Sequence, residues 1–372
     1  MIPLSLYVHF PWCLRKCPYC DFNSHAVRGE IPEKDYLAAL IRDLDRVAGD
    51  AQGRPLSSVF VGGGTPSLLS PAAVDRLLTA VRERLPLADD AEVTLEANPG
   101  ASEGGKFAAF RQAGVTRLSI GVQSFDDRLL AAIGRVHTAA DALRAAEQAQ
   151  RIFDRVNLDL MYALPAQTLA DLDRDLDQAL ALGVGHISAY HLTIEPNTAF
   201  ASAPPVVPDD DLAADMQEHV EARLAADGFG HYETSAFARD GQRCRHNLNY
   251  WTFGDYLGIG AGAHAKISRA GSVSREARCK HPEKYLRHDD PVDDRRVVSA
   301  DELAGEFMMN ALRLIDGFPL ALFEERTGLE LDCIADALRT ACDDGLLAID
   351  ESRVVPTLLG QRHLNALISR FL

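Results

Sequence analysis

The sequence predicts an α/β fold: a partial (β/α)6 barrel, open on one side, followed by a small, mostly helical C-terminal domain. Three observations predict it. Six short runs of β-branched and aliphatic residues alternate with stretches of helical apolar spacing, the pattern of parallel βα units. Each run ends in polar residues or glycine, as the C-terminal rim of a parallel barrel does when it carries a site. Beyond residue 298 the strand pattern gives way to helical patterns and a hairpin.

The strand runs are Leu4–Phe10, 57–61, 92–97, 117–122, 155–161 and 186–192. Between them, segments such as 71–85 place Val74, Leu77, Leu78, Val81 and Leu85 on one helical face. The strand ends carry His9, Gly62 to Gly64, Glu96, Gln123, Asp159, and Tyr190 with His191. A proline-rich segment at 203–208 then crosses to a helix near 209–227. Helical patterns at 301–314, Leu320–Thr327 and 331–343 precede a hairpin around 345–356, which resembles a winged helix. These shifts divide the chain into a barrel (1–230), a barrel extension (231–298) and a C-terminal domain (299–372).

At ~150 residues per domain, 372 residues suit two or three domains. With 47% hydrophobic and 25% charged residues, the chain has ample material for a core, which excludes intrinsic disorder. No apolar run approaches the ~20 residues that span a bilayer. The first residues lack a basic region and a cleavage site, so a cytoplasmic protein is expected. The net charge of −16 repels phosphate backbones and disfavours nucleic acid as a partner. The charge is uneven: residues 241–288 hold nine Lys/Arg against three Asp/Glu. Such an island is either an anion-binding surface or a solvated face. The winged-helix-like region carries six Arg and thirteen Asp/Glu, which favours packing or a lid over DNA binding.

The seven cysteines are an odd number in a long chain, a poor disulfide framework. Cys13, Cys17 and Cys20 form C-x3-C-x2-C on the loop after the first strand. Three thiolates on one loop can face one centre, and soft sulfur selects iron–sulfur clusters, zinc or Cu(I). Zinc could recruit His25 as a fourth ligand. Cys17 and Cys20 alone match a redox dithiol, which has no need of a third cysteine. A four-iron cluster on three cysteines keeps one iron open to a small molecule.

The loop, with Tyr7 and His9 before it, resembles the radical S-adenosylmethionine superfamily. The resemblance implies a [4Fe–4S] cluster on Cys13, Cys17 and Cys20, with S-adenosylmethionine chelating the open iron. In that superfamily an electron from the cluster cleaves the sulfonium to a 5′-deoxyadenosyl radical. It also implies a cofactor-binding set of Tyr7, Tyr19, Gly63, Gly64, Thr65, Glu96, Gln123, Arg135 and Asp159. The chemistry of these residues is compatible with those roles. Glycines permit close backbone approach, Arg135 can fork onto a carboxylate, and Gln123 and Asp159 suit ribose hydroxyls.

Within the superfamily the chain is most similar to the oxygen-independent coproporphyrinogen oxidase group. That group contains anaerobic coproporphyrinogen III dehydrogenases (HemN type) and haem chaperones (HemW type). The dehydrogenases carry a further cysteine where Phe22 stands here, and a long N-terminal extension before the position of Tyr7. His246-Asn247-Leu248-Asn249-Tyr250-Trp251 matches the chaperone motif H-N-x-x-Y-W. The resemblance therefore implies a haem chaperone on an enzyme scaffold, with no catalytic residues of its own. Its partners would be haem and respiratory haem-acceptor proteins, with a homodimer and transient membrane association as further expectations. His246 would ligate haem iron and Tyr250 and Trp251 would face the macrocycle; Cys244 and His264 are secondary candidates. A bland reading of the same residues is a hydrogen-bonded structural histidine beside core aromatics. The glycine run 258–264 is expected to pack its backbone against a cofactor. The alternative function is a radical oxidoreductase acting on coproporphyrinogen III or a related substrate.

Overall fold

The computed structural model describes residues 1–100, 105–269, 271–350 and 352–372. The six expected strands are β1 (Leu4–Phe10), β2 (Leu56–Gly63), β3 (Leu87–Ala97), β4 (Arg117–Gln123), β5 (Arg155–Tyr162) and β6 (His186–His191). They lie side by side in chain order, all parallel. Six further strands extend the sheet: β7 (Gly230–Glu233), β8 (Ala236–Ala238), β9 (Asp255–Ile259), β10 (His264–Arg269), β11 (Ser272–Arg278) and β12 (Val292–Val297). The full order is β12-β11-β10-β9-β1-β2-β3-β4-β5-β6-β8-β7, a linear sheet whose ends do not pair among the described residues. The fold class is therefore as expected, a partial barrel. It has one addition: β9 runs parallel to β1 on the side away from β2, so the extension supplies a seventh parallel strand.

Strand β4 shows how the barrel is built. Leu118, Ile120 and Val122 are fully buried against the surrounding helices. Arg117, Ser119, Gly121 and Gln123 alternate with them and point into the barrel, where they line a cavity. The helices are held by local chemistry. Ser70 caps helix Pro71–Arg84 by accepting from the Ala73 N–H, and proline stands in its first turn. Thr138 and Thr168 form capping boxes with Asp141 and Asp171. Helix Ala139–Ile152 buries Ala142, Ala145, Ala146 and Ala149, small residues that allow close approach to the sheet.

The C-terminal region contains helices Ala300–Ala311, Leu320–Thr327 and Ala335–Asp343 and a three-stranded antiparallel sheet of Phe318–Pro319, Arg353–Pro356 and Leu347–Ile349. Its core also takes in Phe253, Val273 and Val298 from the extension. Phe253 meets Phe307 at 5.6 Å between ring centroids. Arg362 forks onto both Glu221 oxygens at 2.6 and 2.7 Å, tying the domain to helix Asp210–Ala226.

The basic island is not a free cationic surface. Eight of its nine Lys/Arg meet carboxylates: Arg243 with Asp316, Arg245 with Asp90, Lys266 with Asp255, Arg269 with Asp50, Arg275 with Glu306, Arg278 with Asp43 and Glu276, Lys284 with Asp293 and Arg287 with Glu283. Most of these partners come from distant sequence, so charge that looks local along the chain is neutralised in space. The anion-surface expectation is corrected accordingly.

Candidate cofactor site

The parallel strands open at their C-terminal ends onto a cavity of about 470 Å³. Cys13, Cys17 and Cys20 line it from the β1 loop. All three are free thiols of intermediate exposure. The loop is fixed at several points. Cys20 N–H donates to Cys17 O at 3.2 Å, and Phe200 N–H donates to Pro18 O at 2.9 Å. Cys13 ends a two-residue strand paired with His25–Ala26. Burial pushes the Cys13 thiol above its ordinary value, and a hydrogen bond with Thr65 opposes this.

Beneath the loop, β2 ends in the glycine triplet. Gly63 has φ +113°, and a Cβ there would lie 2.5 Å from the His9 ring. A Cβ on Gly64 would lie 2.5 Å from the Trp12 carbonyl oxygen. These glycines let three backbone segments meet behind the cysteines. Gly63→Ala is expected to destabilise the protein by about 1–3 kcal/mol, through the strained φ and the clash. Thermal unfolding of the metal-free protein checks this; an unchanged midpoint would show that His9 yields freely.

Gly63, Gly64 and Thr65 line the cavity, as do Tyr19, Glu96, Gln123, Arg135 and Asp159. Glu96 accepts a hydrogen bond from Gly63 N–H at 3.0 Å. Its carboxyl is pushed up to about 7, first by burial and then by Asp159. Burial also raises Asp159, whose Oδ1 accepts from Asn157 at 2.8 Å. Arg135 donates to Asn98 Oδ1 at 2.8 Å and Gly121 O at 2.7 Å, and reaches Cys17 Sγ at 3.6 Å; its Nε is buried without a partner. Gln123 sits at φ +68°, a strained position for a non-glycine residue.

Not every expected residue is brought to the cavity. Tyr7 does not line it. The Tyr7 hydroxyl donates to His9 Nδ1 at 2.9 Å, and its ring stacks near Phe60 and His246. His9 passes the contact on through Nε2 to Asn23 O at 2.9 Å, so Tyr7 supports the loop from behind. His25 also stays out of the shared cavity, its ring packed on His281 at 5.6 Å.

His246 is 2% exposed on helix Arg245–Trp251. Its ring lies 4.8 Å from Phe60, 6.1 Å from Tyr7 and 4.7 Å from Tyr250 between centroids. Nδ1 meets Ser58 Oγ at 3.3 Å, and Nε2 is buried without a partner. Burial, then Arg117, lowers its pKa to about 3, so the ring is neutral. Tyr250 packs on Tyr256 at 4.4 Å, and Trp251 lies under Arg313. Tyr250 and Trp251 are half-buried and none of the three lines the cavity; Cys244 and Asn247 from the same segment reach it instead.

The glycine run at 258–264 does not face the cavity either. A Cβ on Gly260 would lie 2.3 Å from His9 O, and one on Gly262 2.3 Å from Asn23 Nδ2. Asn23 in turn donates to Ala261 O and Lys280 O, both at 2.9 Å. The run therefore packs on β1 and the cysteine loop and stays outside the cavity, a different place from the one expected.

Sequence reasoning missed Asn98 and His137. The His137 ring lies between two acceptors, Asn98 Oδ1 (3.1 Å from Nδ1) and Val122 O (3.1 Å from Nε2), and so packs on the asparagine that orients Arg135. The only hint was a histidine two residues beyond Arg135.

The fold and the cysteine rim are those of a radical S-adenosylmethionine protein. The model of the Radical SAM superfamily matches residues 7–179, and that of the HemN C-terminal domain matches 298–363. The crystal structure of coproporphyrinogen III oxidase (HemN) from Escherichia coli superposes with a TM-score of 0.84 at 24% identity, covering 100% of this chain and 90% of that one. That likeness shows the fold. "Heme chaperone HemW" of Escherichia coli K12 is 48% identical, covering 100% of this chain and 98% of that protein. Its namesake in Haemophilus influenzae is 44% identical with the same coverage. The chain belongs to the HemW family.

Proposed function

We propose that the chain is a haem chaperone that carries a [4Fe–4S] cluster on Cys13, Cys17 and Cys20, holds S-adenosylmethionine at its open iron, and hands haem to acceptor haemoproteins, respiratory ones foremost. One observation carries the cofactor reading: three thiols of one loop open onto a cavity walled by glycine backbone and by an arginine with an orphaned Nε, and the further cysteine that lines it, Cys244, comes from the start of a distant helix. Exposed Phe22 stands at the place of the dehydrogenase's extra cysteine. The haem reading rests on family membership along the whole chain. When bound, the cluster and S-adenosylmethionine supply one-electron radical chemistry. The protein's part is to hold them. Gly63 and Gly64 keep side chains out of the way, Glu96 and Asp159 offer carboxylates, and Asn98 with His137 fixes Arg135.

Glu96 gives the site a pH dependence. Below about 7 its carboxyl is protonated and loses its attraction for the cationic groups of S-adenosylmethionine. Affinity is therefore expected to rise about tenfold from pH 6 to pH 8, and to stay flat in Glu96→Gln. Calorimetric titration of anaerobic, cluster-loaded protein checks this. An equal slope in the variant would remove Glu96 from the site.

For haem to reach His246, helix Arg245–Trp251 must draw the ring out of its stack with Phe60 and Tyr7. Titration of wild type and His246→Ala with haem, the cluster intact in both, tests the assignment. A changed absorption spectrum and weakened binding in the variant support it; identical curves reject it. Transfer is tested by mixing the haem-loaded protein with an apo-haemoprotein.

The polar cavity floor favours one other reading, a radical oxidoreductase acting on coproporphyrinogen III or a related substrate. Formation of 5′-deoxyadenosine with coproporphyrinogen under anaerobic reduction would establish it.

A further inference from the structure

We propose that the barrel floor is a second ligand subsite, in which Arg117 receives the carboxylate of a small organic molecule other than S-adenosylmethionine.

Arg117 opens β4, is 3% exposed and lines the cavity. Its guanidinium makes no hydrogen bond or ion pair with any described residue, although most of the charged and polar groups around it are engaged with one another. Glu92 takes Arg155 at 2.9 Å and the Arg245 N–H at 3.0 Å. Asn157 donates to Ser119 Oγ at 2.7 Å and to Asp159 at 2.8 Å. His186 lies between Asn157 Oδ1 (2.6 Å) and the Tyr232 hydroxyl (2.8 Å). Arg135, the other enclosed arginine of the cavity, is already bonded to Asn98, Gly121 and Cys17. Arg117 is thus a buried cation whose planar fork is free.

A guanidinium withdrawn from water without hydrogen bonds is costly, and an anion within reach recovers that cost. The fork matches a carboxylate with two parallel bonds. Glu92 and Asp159 act on Arg117 electrostatically. Their negative charge disfavours a dianion such as phosphate and leaves room for a monoanion.

Arg117 lies deeper along the barrel than the residues assigned to S-adenosylmethionine, although its charge still acts on Glu96 and Asp159. Gln123 at the rim is six residues further along β4, about 20 Å at the rise of a strand. Glu96 pairs with Ser119, and Asp159 with Gly121, so both stand above Arg117 along the barrel. Cys244 and Asn247 also line the cavity. The cavity, at about 470 Å³, is within the range of small-molecule sites. The inference does not depend on haem.

The test is calorimetric titration of cluster-loaded protein, saturated with S-adenosylmethionine, with propionate as the probe. Propionamide serves as the uncharged control, and phosphate as the dianion. Propionate is expected to bind saturably, propionamide not at all and phosphate more weakly. Arg117→Gln should weaken propionate by at least about tenfold, the size of a lost charge-assisted pair. Affinity for S-adenosylmethionine, read at pH 8 where Glu96 is ionised, should change far less than that for propionate. Arg117→Lys, which keeps the charge, guards against a folding defect and should lose less. Equal propionate binding in wild type and Arg117→Gln would overturn the proposal, as would the absence of saturable binding to wild type. Mutual displacement of propionate and S-adenosylmethionine would also overturn it, by assigning Arg117 to the carboxylate of S-adenosylmethionine itself.

Discussion

Cys17→Ala, purified without oxygen, is expected to lose nearly all of its iron and sulfide. Removal even of a group that merely supports a metal ligand lowers affinity by about 10–100-fold, and Cys17 is itself a proposed ligand. The three thiols line one cavity from one loop, so each has the same standing. Cys13→Ala and Cys20→Ala should behave alike. The remaining cysteines should not. Cys333 is exposed and Cys342 half-buried, both in the C-terminal domain, Cys279 packs in the extension with its thiol 3.2 Å from Asp293, and Cys244 lines the cavity away from the loop, its thiol 3.6 Å from Glu92. Iron and sulfide assays across these variants read the outcome directly. Full metal content in Cys17→Ala would mean that the loop does not carry the cluster.

Asp255→Ala is expected to destabilise the chain by about 3–5 kcal/mol, the size found when one partner of a buried ion pair is removed. Asp255 is fully buried and joins four donors: Arg54 at 2.7 Å, Lys266 at 3.0 Å, Ser268 N–H at 3.0 Å and Ser268 Oγ at 2.8 Å. Its removal leaves two buried cations unpaired. Lys266 already has its pKa lowered to about 8, because burial outweighs the pull of Asp255; without Asp255 it should fall further. The effect reaches the motif helix, since Asn249 donates both to Asp255 O at 2.8 Å and to Ser5 Oγ at 2.9 Å. Urea unfolding followed by circular dichroism checks the prediction. A midpoint within error of wild type would show that the buried cations find water.

Much of the architecture is legible along the chain because it follows from local periodicity. The alternation of Leu118, Ile120 and Val122 with Ser119, Gly121 and Gln123 marks β4 as two-faced by spacing alone. Helix Leu320–Thr327 begins and ends where its apolar spacing does. Cys13, Cys17 and Cys20 are legible for a different reason: eight residues of chain cannot separate them far. What escapes is set by long-range pairing. Strand β9 has Asp255 and Gly258 in a five-residue run, and nothing local says that it docks beside β1. The basic island is misread because its partners, such as Asp43, Asp50 and Glu306, lie tens to hundreds of residues away in sequence. Tyr7 escapes because its hydroxyl is taken by His9, two residues on, a matter of side-chain direction that spacing does not disclose. Arg117 reads as an ordinary strand-start arginine until its neighbours are seen to be paired without it.

The most direct test of the account is electron paramagnetic resonance of the anaerobically reduced protein, recorded with and without S-adenosylmethionine, beside metal analysis of the same sample. Three thiols and a vacant coordination site predict about four irons per chain and a cluster signal that changes shape when S-adenosylmethionine is added. Stoichiometric zinc in place of iron, or a cluster signal indifferent to S-adenosylmethionine, would contradict it.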